Sequence, residues 1–168
     1  MSEITTENEI LDILDVVDSV DDGAQQYLTF ELADEHYGVE ILRVQEIKGW
    51  DNVTPIPNTP AHVCGVLNLR GVIVPIVDLR LLFQMPFNPY TKTTVVVVLK
   101  VEGITDRVVG IVVDAVSEAQ NVDPQMISNA PDLGTVVDTS FIKGITSNDE
   151  YMLMLLDIDK LLSVEQVG

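Results

Sequence analysis

The sequence has little cysteine, histidine or aromatic character: one cysteine, two histidines and 5% aromatic residues among 168 positions. A single cysteine forms no intramolecular disulfide and cannot build a metal site from thiolates. Valine and isoleucine are abundant instead. This bias favours strands packed with branched aliphatic side chains over aromatic stacking surfaces.

Long apolar runs are also missing. Runs such as 95–99 and 151–156 are far shorter than the roughly 20 residues that a membrane helix needs. The first residues show no basic segment followed by an apolar stretch, the pattern typical of a signal peptide. We therefore expect a cytoplasmic protein without direct membrane insertion.

Basic residues are scarce, with 9 lysines and arginines against 27 acids and a net charge of −18. Eight acids precede Tyr27 with no basic residue among them, and the rest of the chain still carries −10. Such a surface repels phosphate backbones and anionic lipid, so nucleic-acid binding is not expected. Residues 1–26 are predicted to be an acidic, disordered tail, and residues 27–168 the folded domain.

Known catalytic motifs are absent as well. The chain has no phosphate-binding glycine loop, no G-x-S-x-G elbow and no H-E-x-x-H helix. His36 and His62 each lack a second ligand nearby in the chain and are predicted to be turn or solvated residues. Cys64 lies between apolar neighbours and is predicted to be a packed thiol. We expect no enzyme, no cofactor and no metal site.

The residues after Tyr27 follow the pattern of short strands joined by turns. Ile41, Val44 and Ile47 recur at a spacing of three, which predicts a short helix. Asp78 and Asp157 are predicted to cap short helices. The predicted strands cover 27–32, 37–39, 64–77 with a turn at residues 70–71, 95–101, 108–113 and 151–156.

The two halves of the chain repeat each other. Segment 37–46 matches 109–118 at an offset of 72, and 63–66 matches 142–145 at an offset of 79, which also places Asp78 on Asp157. We infer an internal duplication. A sheet of about five short strands avoids exposed edges by curling into a small barrel. The predicted barrels cover roughly 27–90 and 91–163, and exchange of strands between them is left open.

An arginine–glycine pair lies between two apolar strands in segment 68–80. One interpretation is a hairpin with Arg70 solvated at its tip. The other is an exposed arginine beside an apolar surface, which suits protein recognition because arginine is favoured at interface anchors. The residues alone leave both interpretations open.

This segment, Asn-Leu-Arg-Gly-Val-Ile-Val-Pro-Ile-Val-Asp-Leu-Arg, resembles the core motif of the CheW family of chemotaxis adaptors. Segments 37–47, 54–60 and 107–116 match the family in the same order. The resemblance implies a mainly β fold, with two SH3-like five-stranded β-barrels packed side by side and a few short helices. It further implies a non-enzymatic scaffold that couples transmembrane chemoreceptors to the histidine kinase CheA.

The same resemblance implies partners and contact residues. The partners would be receptor signalling tips and the regulatory domain of CheA, with a free monomer recruited to membrane-associated receptor arrays. Val44 and Val116 hold equivalent repeat positions and could equally be core residues, and Gly65 could serve backbone geometry alone. The implied receptor-binding residues are Val44, Glu46, Gly65, Arg70 and Val116, and the implied kinase-binding residues are Ala130, Pro131 and Leu133.

The alternative function is that of a small-ligand-binding β-barrel protein of unknown specificity. It would need a concave pocket lined by convergent polar groups. Beyond Arg70 and scattered acids, the sequence offers few candidates for such a pocket.

Overall fold

The computed structural model of the protein describes residues 25–50, 53–103, 106–129, 139–147 and 150–163. These residues form ten short strands, two short α-helices and three 3-10 turns. The strands are β1 Gln25–Leu32, β2 Glu35–Glu40, β3 Val44–Gly49, β4 Val63–Leu69, β5 Val72–Asp78, β6 Val95–Val101, β7 Arg107–Val113, β8 Ala115–Val122, β9 Ile142–Ser147 and β10 Met152–Leu156. The helices are α1 Leu79–Leu82 and α2 Ile158–Leu161, and the 3-10 turns are Ile41–Arg43, Pro124–Met126 and Thr139–Phe141.

The strands build two five-stranded sheets. The first sheet has the order β8-β1-β2-β10-β9, and the second has the order β3-β6-β7-β5-β4. The mainly β fold with two five-stranded units is confirmed. A boundary near residue 90, however, falls inside the second sheet, between β5 and β6. Each sheet takes strands from both halves of the chain, because the β1–β2 hairpin pairs with β8 and β10, and the β6–β7 hairpin pairs with β3 and β5.

A short backbone bridge closes each sheet into a barrel. Thr54 follows β3 at one edge of the second sheet, and it exchanges two N–H···O bonds of 2.9 Å with Val66 of β4 at the other edge. Ser128 follows β8 in the first sheet and exchanges two such bonds of 2.8 Å with Ile145 of β9. Edge strands that would otherwise present unpaired backbone groups are thereby covered.

The largest apolar cluster draws buried side chains from both sheets, and we call it the shared core. Strand β6 explains how one strand serves two cores. Val95, Val97 and Leu99 face the shared core, while Val96 and Val98 face the smaller core of their own sheet. Because both faces of β6 are buried, its sequence is a continuous apolar run rather than an alternating one.

Local patterns predicted the caps correctly but not every element. Asp78 accepts a hydrogen bond from the Leu81 N–H, and Asp157 accepts one from the Lys160 N–H, so both predicted helix caps are confirmed. The predicted helix through Ile41, Val44 and Ile47 is wrong. Only Ile41–Arg43 forms a 3-10 turn, and Val44–Gly49 is a strand because it pairs with β6.

Two other expectations concern the ends of elements. The predicted tail lies outside the described residues except for Gln25 and Gln26, which begin β1. His36 belongs to β2 rather than to a turn, since the turn consists of Ala33 and Asp34 alone.

No helix in the described part of the chain is long and apolar enough to cross a membrane.

Candidate protein-interaction site

Arg70 lies at the tip of the β4–β5 hairpin, as the sequence predicts. Arg70 and Gly71 form a two-residue turn with φ values of 51° and 88°, the combination that matches the twist of paired strands. The Asn68 Oδ1 accepts a 2.8 Å hydrogen bond from the Gly71 N–H and fixes this turn. The turn places the arginine side chain in solvent, where it is 73% exposed.

Glu46 approaches Arg70 from the opposite edge of the second sheet. The Arg70 Nη2 donates a 2.7 Å hydrogen bond to the Glu46 Oε2, and the Lys48 Nζ lies 3.6 Å from the Glu46 Oε1. Closure of the barrel brings these residues together, although 24 positions separate Glu46 from Arg70 in the chain. Exposed ion pairs contribute little to stability, so a partner could take over either charge at small cost.

Two apolar side chains beside the turn complete an exposed surface. Val72 and Ile73 are 56% and 60% exposed although both belong to β5. Successive side chains of a strand point to opposite faces, so Val72 and Ile73 flank the hairpin on its two sides. We call Glu46, Arg70, Val72 and Ile73 together the hairpin-tip surface. Arginine is a typical anchor of protein interfaces, and the aliphatic side chains beside it add apolar area that a partner can cover. The candidate residues taken from the sequence did not include Val72 and Ile73, although their position directly after the turn indicates exposure.

Gly65 serves the closure of the barrel. It is buried, its φ is +149°, and a Cβ placed on it would lie 2.1 Å from the Thr54 carbonyl oxygen. No side chain fits between β4 and the backbone of Thr54 in the closing bridge. Gly65 therefore holds the position for a backbone reason, which is the alternative stated for it above.

The two equivalent valines differ in exposure. Val44 is half-buried and packs against the shared core. Val116 is fully buried in that core, at 0% exposure. The Val116 side chain therefore offers no surface to a receptor, and the expectation that it faces one is replaced by the alternative of a core residue.

The implied kinase-binding residues Ala130, Pro131 and Leu133 lie outside the described residues. The described segment that precedes them follows β8 and contains an exposed methionine, Met126. Met126 and Met152 line a groove of about 340 Å³ whose walls hold no charged side chain.

The described residues hold no cluster of three or more histidine, cysteine, aspartate or glutamate side chains that could bind a metal. The Cys64 Sγ lies 3.4 Å from the Tyr90 hydroxyl, which donates a 2.7 Å hydrogen bond to the Asp78 Oδ2. Burial raises the pKa of the Cys64 thiol above its usual value. Because the thiolate is the reactive form, Cys64 is a poor nucleophile at neutral pH.

Known proteins are similar to this chain in sequence and in fold over most of its length. A family model described as the CheW-like domain matches residues 26–166. The chemotaxis protein CheW of Klebsiella aerogenes is 48% identical over 144 residues, which are 86% of this chain and 85% of that protein. The chemotaxis protein CheW of Rhizobium meliloti is 35% identical over 144 residues, covering 86% and 91%. The crystal structure of scaffolding protein TtCheW from Thermoanaerobacter tengcongensis superimposes with a TM-score of 0.76 at 31% identity, covering 85% of this chain and 90% of that one.

Proposed function

This chain belongs to the CheW-like family, and we propose on that basis that it is a non-enzymatic chemotaxis scaffold that couples transmembrane chemoreceptors to the histidine kinase CheA. The match to CheW proteins over residues 26–166 carries this proposal. The similar solved structure is itself described as a scaffolding protein. A scaffold needs binding surfaces rather than reactive groups, which agrees with the unreactive environment of Cys64.

The hairpin-tip surface is the proposed receptor-binding site. Arg70 is exposed, preoriented by a tight turn and held by an ion pair that is inexpensive to break. Val72 and Ile73 add apolar area that a partner would cover. Glu46 takes part directly, while Val44 and Gly65 act indirectly by supporting β3 and the closing bridge.

The proposed kinase-binding site is the segment with Ala130, Pro131 and Leu133. The chain enters this segment from the first sheet, next to the groove of Met126 and Met152. The hairpin tip belongs to the second sheet. The described residues that lead into the proposed kinase-binding segment follow a different sheet from the one that carries the hairpin tip, which supports simultaneous binding of receptor and kinase.

Coupling by such a scaffold is a difference in binding free energy between assembly states. A receptor state that places the scaffold more favourably for CheA strengthens kinase binding, and by linkage the kinase strengthens receptor binding equally. The scaffold is then recruited to receptor arrays because both partners are there.

The alternative function, a small-ligand-binding barrel, has less support. A ligand pocket needs polar groups that converge on one cavity. The groove beside Met126 is lined by no charged side chain. A smaller pocket is lined by Glu31, Asp34, Arg80 and Asp114, but its arginine is already paired with Asp114. The similar proteins are chemotaxis proteins.

The test is a binding titration of the full chain against a receptor signalling-tip fragment and, separately, the regulatory domain of CheA. We expect Arg70→Glu to remain folded and to weaken receptor binding by about tenfold or more. Lys92→Glu is the matched control, because it reverses the charge of an exposed residue outside the hairpin tip. If the wild-type chain binds neither partner at micromolar concentration, the scaffold proposal fails. If Arg70→Glu binds the receptor as tightly as Lys92→Glu does, the hairpin tip is not the site.

A further inference from the structure

The chain crosses between the two sheets at two points. It leaves the first sheet after β2 through the 3-10 turn Ile41–Arg43, and it returns from the second sheet after β7 through Asp114. We call these the first and second crossings. Each crossing carries one charged residue that forms a bidentate ion pair with a short helix.

At the first crossing, Arg43 pairs with Asp159 of α2. The Nη1 donates to the Oδ1 at 3.0 Å and the Nη2 to the Oδ2 at 2.6 Å. The Arg43 Nη1 also donates to the Lys100 carbonyl, and the Glu102 N–H donates to the Asp159 Oδ1 at 2.8 Å. The helix that follows the first sheet is thereby attached to β6 and to the β6–β7 turn of the second sheet.

At the second crossing, Asp114 pairs with Arg80 of α1. The Arg80 Nε donates to the Oδ1 at 2.9 Å and its Nη2 to the Oδ2 at 2.6 Å. The Ala33 N–H donates to the Asp114 Oδ2 at 2.9 Å. The helix that follows β5 of the second sheet is thereby attached to the β1–β2 turn of the first sheet.

The helix residues of the two ion pairs are repeat equivalents of opposite charge, whereas the crossing residues are one position out of register, because the offset of 72 places Leu42, not Arg43, on Asp114. The offset of 79 that places the cap Asp78 on the cap Asp157 also places Arg80 on Asp159. Each arrangement consists of an arginine, an aspartate and a turn N–H. The helix supplies the arginine at the second crossing and the aspartate at the first crossing.

A competing fold follows directly from the duplication. In it, β1–β5 would form one sheet and β6–β10 the other, with no exchange of strands. Strand β5 would then take the place of β10 beside β2, so that α1 would lie at the first crossing and α2 at the second. Arg80 would face Arg43, and Asp159 would face Asp114. Such local pairing closes shorter loops, which favours its formation early in folding.

We propose that the inverted polarity of the two ion pairs selects the strand-exchanged fold over this local fold. Opposite charges meet at both crossings in the exchanged arrangement, whereas like charges meet at both in the local one. Apolar burial alone does not distinguish β5 from β10 at three positions, because Val74, Ile76 and Val77 correspond to the equally buried Leu153, Leu155 and Leu156, although Pro75 corresponds to Met154. Charge at a fixed position is a known way to specify one pairing against another. The selection belongs to the fold and does not depend on the chemotaxis role.

The test reverses the polarity of one ion pair. Arg43→Asp with Asp159→Arg keeps opposite charges together in the exchanged fold, but it also makes both local pairings attractive. A fourfold variant that adds Arg80→Asp and Asp114→Arg restores like charges in the local fold. It is the matched control, since it contains every change of the double variant and two more.

Short bis-maleimide cross-linking during refolding from urea reads the pairing, with Cys64→Ala as background. Leu42→Cys with Lys160→Cys reports the exchanged fold, because these positions adjoin the Arg43–Asp159 pair. Leu42→Cys with Leu81→Cys reports the local fold, because Leu81 is the repeat equivalent of Lys160. For the wild-type charges we expect the exchanged product to dominate.

We expect the double variant to raise the yield of the local cross-link by about tenfold and the fourfold variant to return it to the wild-type level. A general loss of stability predicts the reverse order, since the fourfold variant loses the hydrogen bonds from both turn N–H groups and the double variant only one. Equal local cross-linking in the double and fourfold variants would overturn the proposal. Arg80→Asp with Asp114→Arg alone must behave as the first double variant does.

Discussion

Replacement of Gly65 by alanine tests whether closure of the second barrel explains this position. The new Cβ would lie 2.1 Å from the Thr54 carbonyl oxygen and 2.9 Å from the Pro55 Cα, which are backbone atoms that no side-chain rotation can move away. The backbone at Gly65 also has φ +149°, a conformation that L-amino acids avoid. Both effects, the steric overlap and the backbone strain, act on the same bridge between Thr54 and Val66.

The expected loss of stability follows from these two terms. Backbone strain at a glycine-only conformation costs about 2 kcal/mol. Displacement of Thr54 breaks the two 2.9 Å hydrogen bonds to Val66, at about 1 kcal/mol each. The free energy of unfolding should therefore fall by about 4 kcal/mol. With a urea m value of about 2 kcal/mol/M, the unfolding midpoint falls by about 2 M.

Two other glycines separate the terms in the same urea titration. Gly71 has φ +88° with no atom within 4 Å of an added Cβ, so Gly71→Ala reports strain alone and should cost about 1 kcal/mol. Gly49 has open space and no such φ, so Gly49→Ala should change stability by about 0.5 kcal/mol or less. Native-state hydrogen exchange of the Val66 amide should accelerate in Gly65→Ala only. A Gly65→Ala midpoint equal to that of Gly49→Ala would refute the closure argument.

Three further outcomes are expected. Val116→Ala should lower the free energy of unfolding by about 2 kcal/mol in urea titrations because Val116 is fully buried. Val72→Ala should instead weaken receptor binding with little loss of stability. The opposite pattern would reverse the assignments of core and surface. Asp159→Asn should reduce stability at neutral pH, since the hydrogen bond from Arg43 lowers the pKa of Asp159 in the folded state. This stabilisation is lost as pH falls from about 4 through the lowered pKa. The difference in urea midpoint between the wild type and Asp159→Asn must therefore shrink in acid. Cys64 should react with a thiol reagent more slowly in the folded chain than in urea, and equal rates would contradict its burial.

The sequence predicts those features whose causes are local. The caps at Asp78 and Asp157 follow from a carboxylate next to a short helix, and the turn at Arg70 and Gly71 follows from a glycine between apolar strands. The spacing of Ile41 and Ile47 predicted a helix wrongly, because the two residues are buried for different reasons. Ile41 belongs to the crossing between sheets, whereas Ile47 faces the core from a strand.

Strand partners could not be predicted because the choice between partners is made over long distances. The duplication offers each hairpin two related sets of strands, and the buried positions Val74, Ile76 and Val77 of one set correspond to the buried Leu153, Leu155 and Leu156 of the other. Charged residues such as Arg43 and Asp159 distinguish them, yet these two lie 116 positions apart. The contact between Glu46 and Arg70 is hidden for the same reason. It exists only after the closing bridge has joined β3 and β4 at the two edges of the sheet.

Gly144 shows how the duplication separates structural from functional positions. It is the repeat equivalent of Gly65, and an added Cβ would lie 2.3 Å from the Ile127 Cγ2 and 3.3 Å from the Ser128 carbonyl oxygen. Gly144 thus faces the closing bridge of the first barrel as Gly65 faces that of the second. Glycines that face the closing bridge at both equivalent positions reflect the barrel itself, whichever partner each barrel binds. Binding specificity must therefore come from positions that differ between the repeats. A variant of Gly65 that loses receptor binding would report damage to the barrel and would not be evidence that Gly65 contacts the receptor.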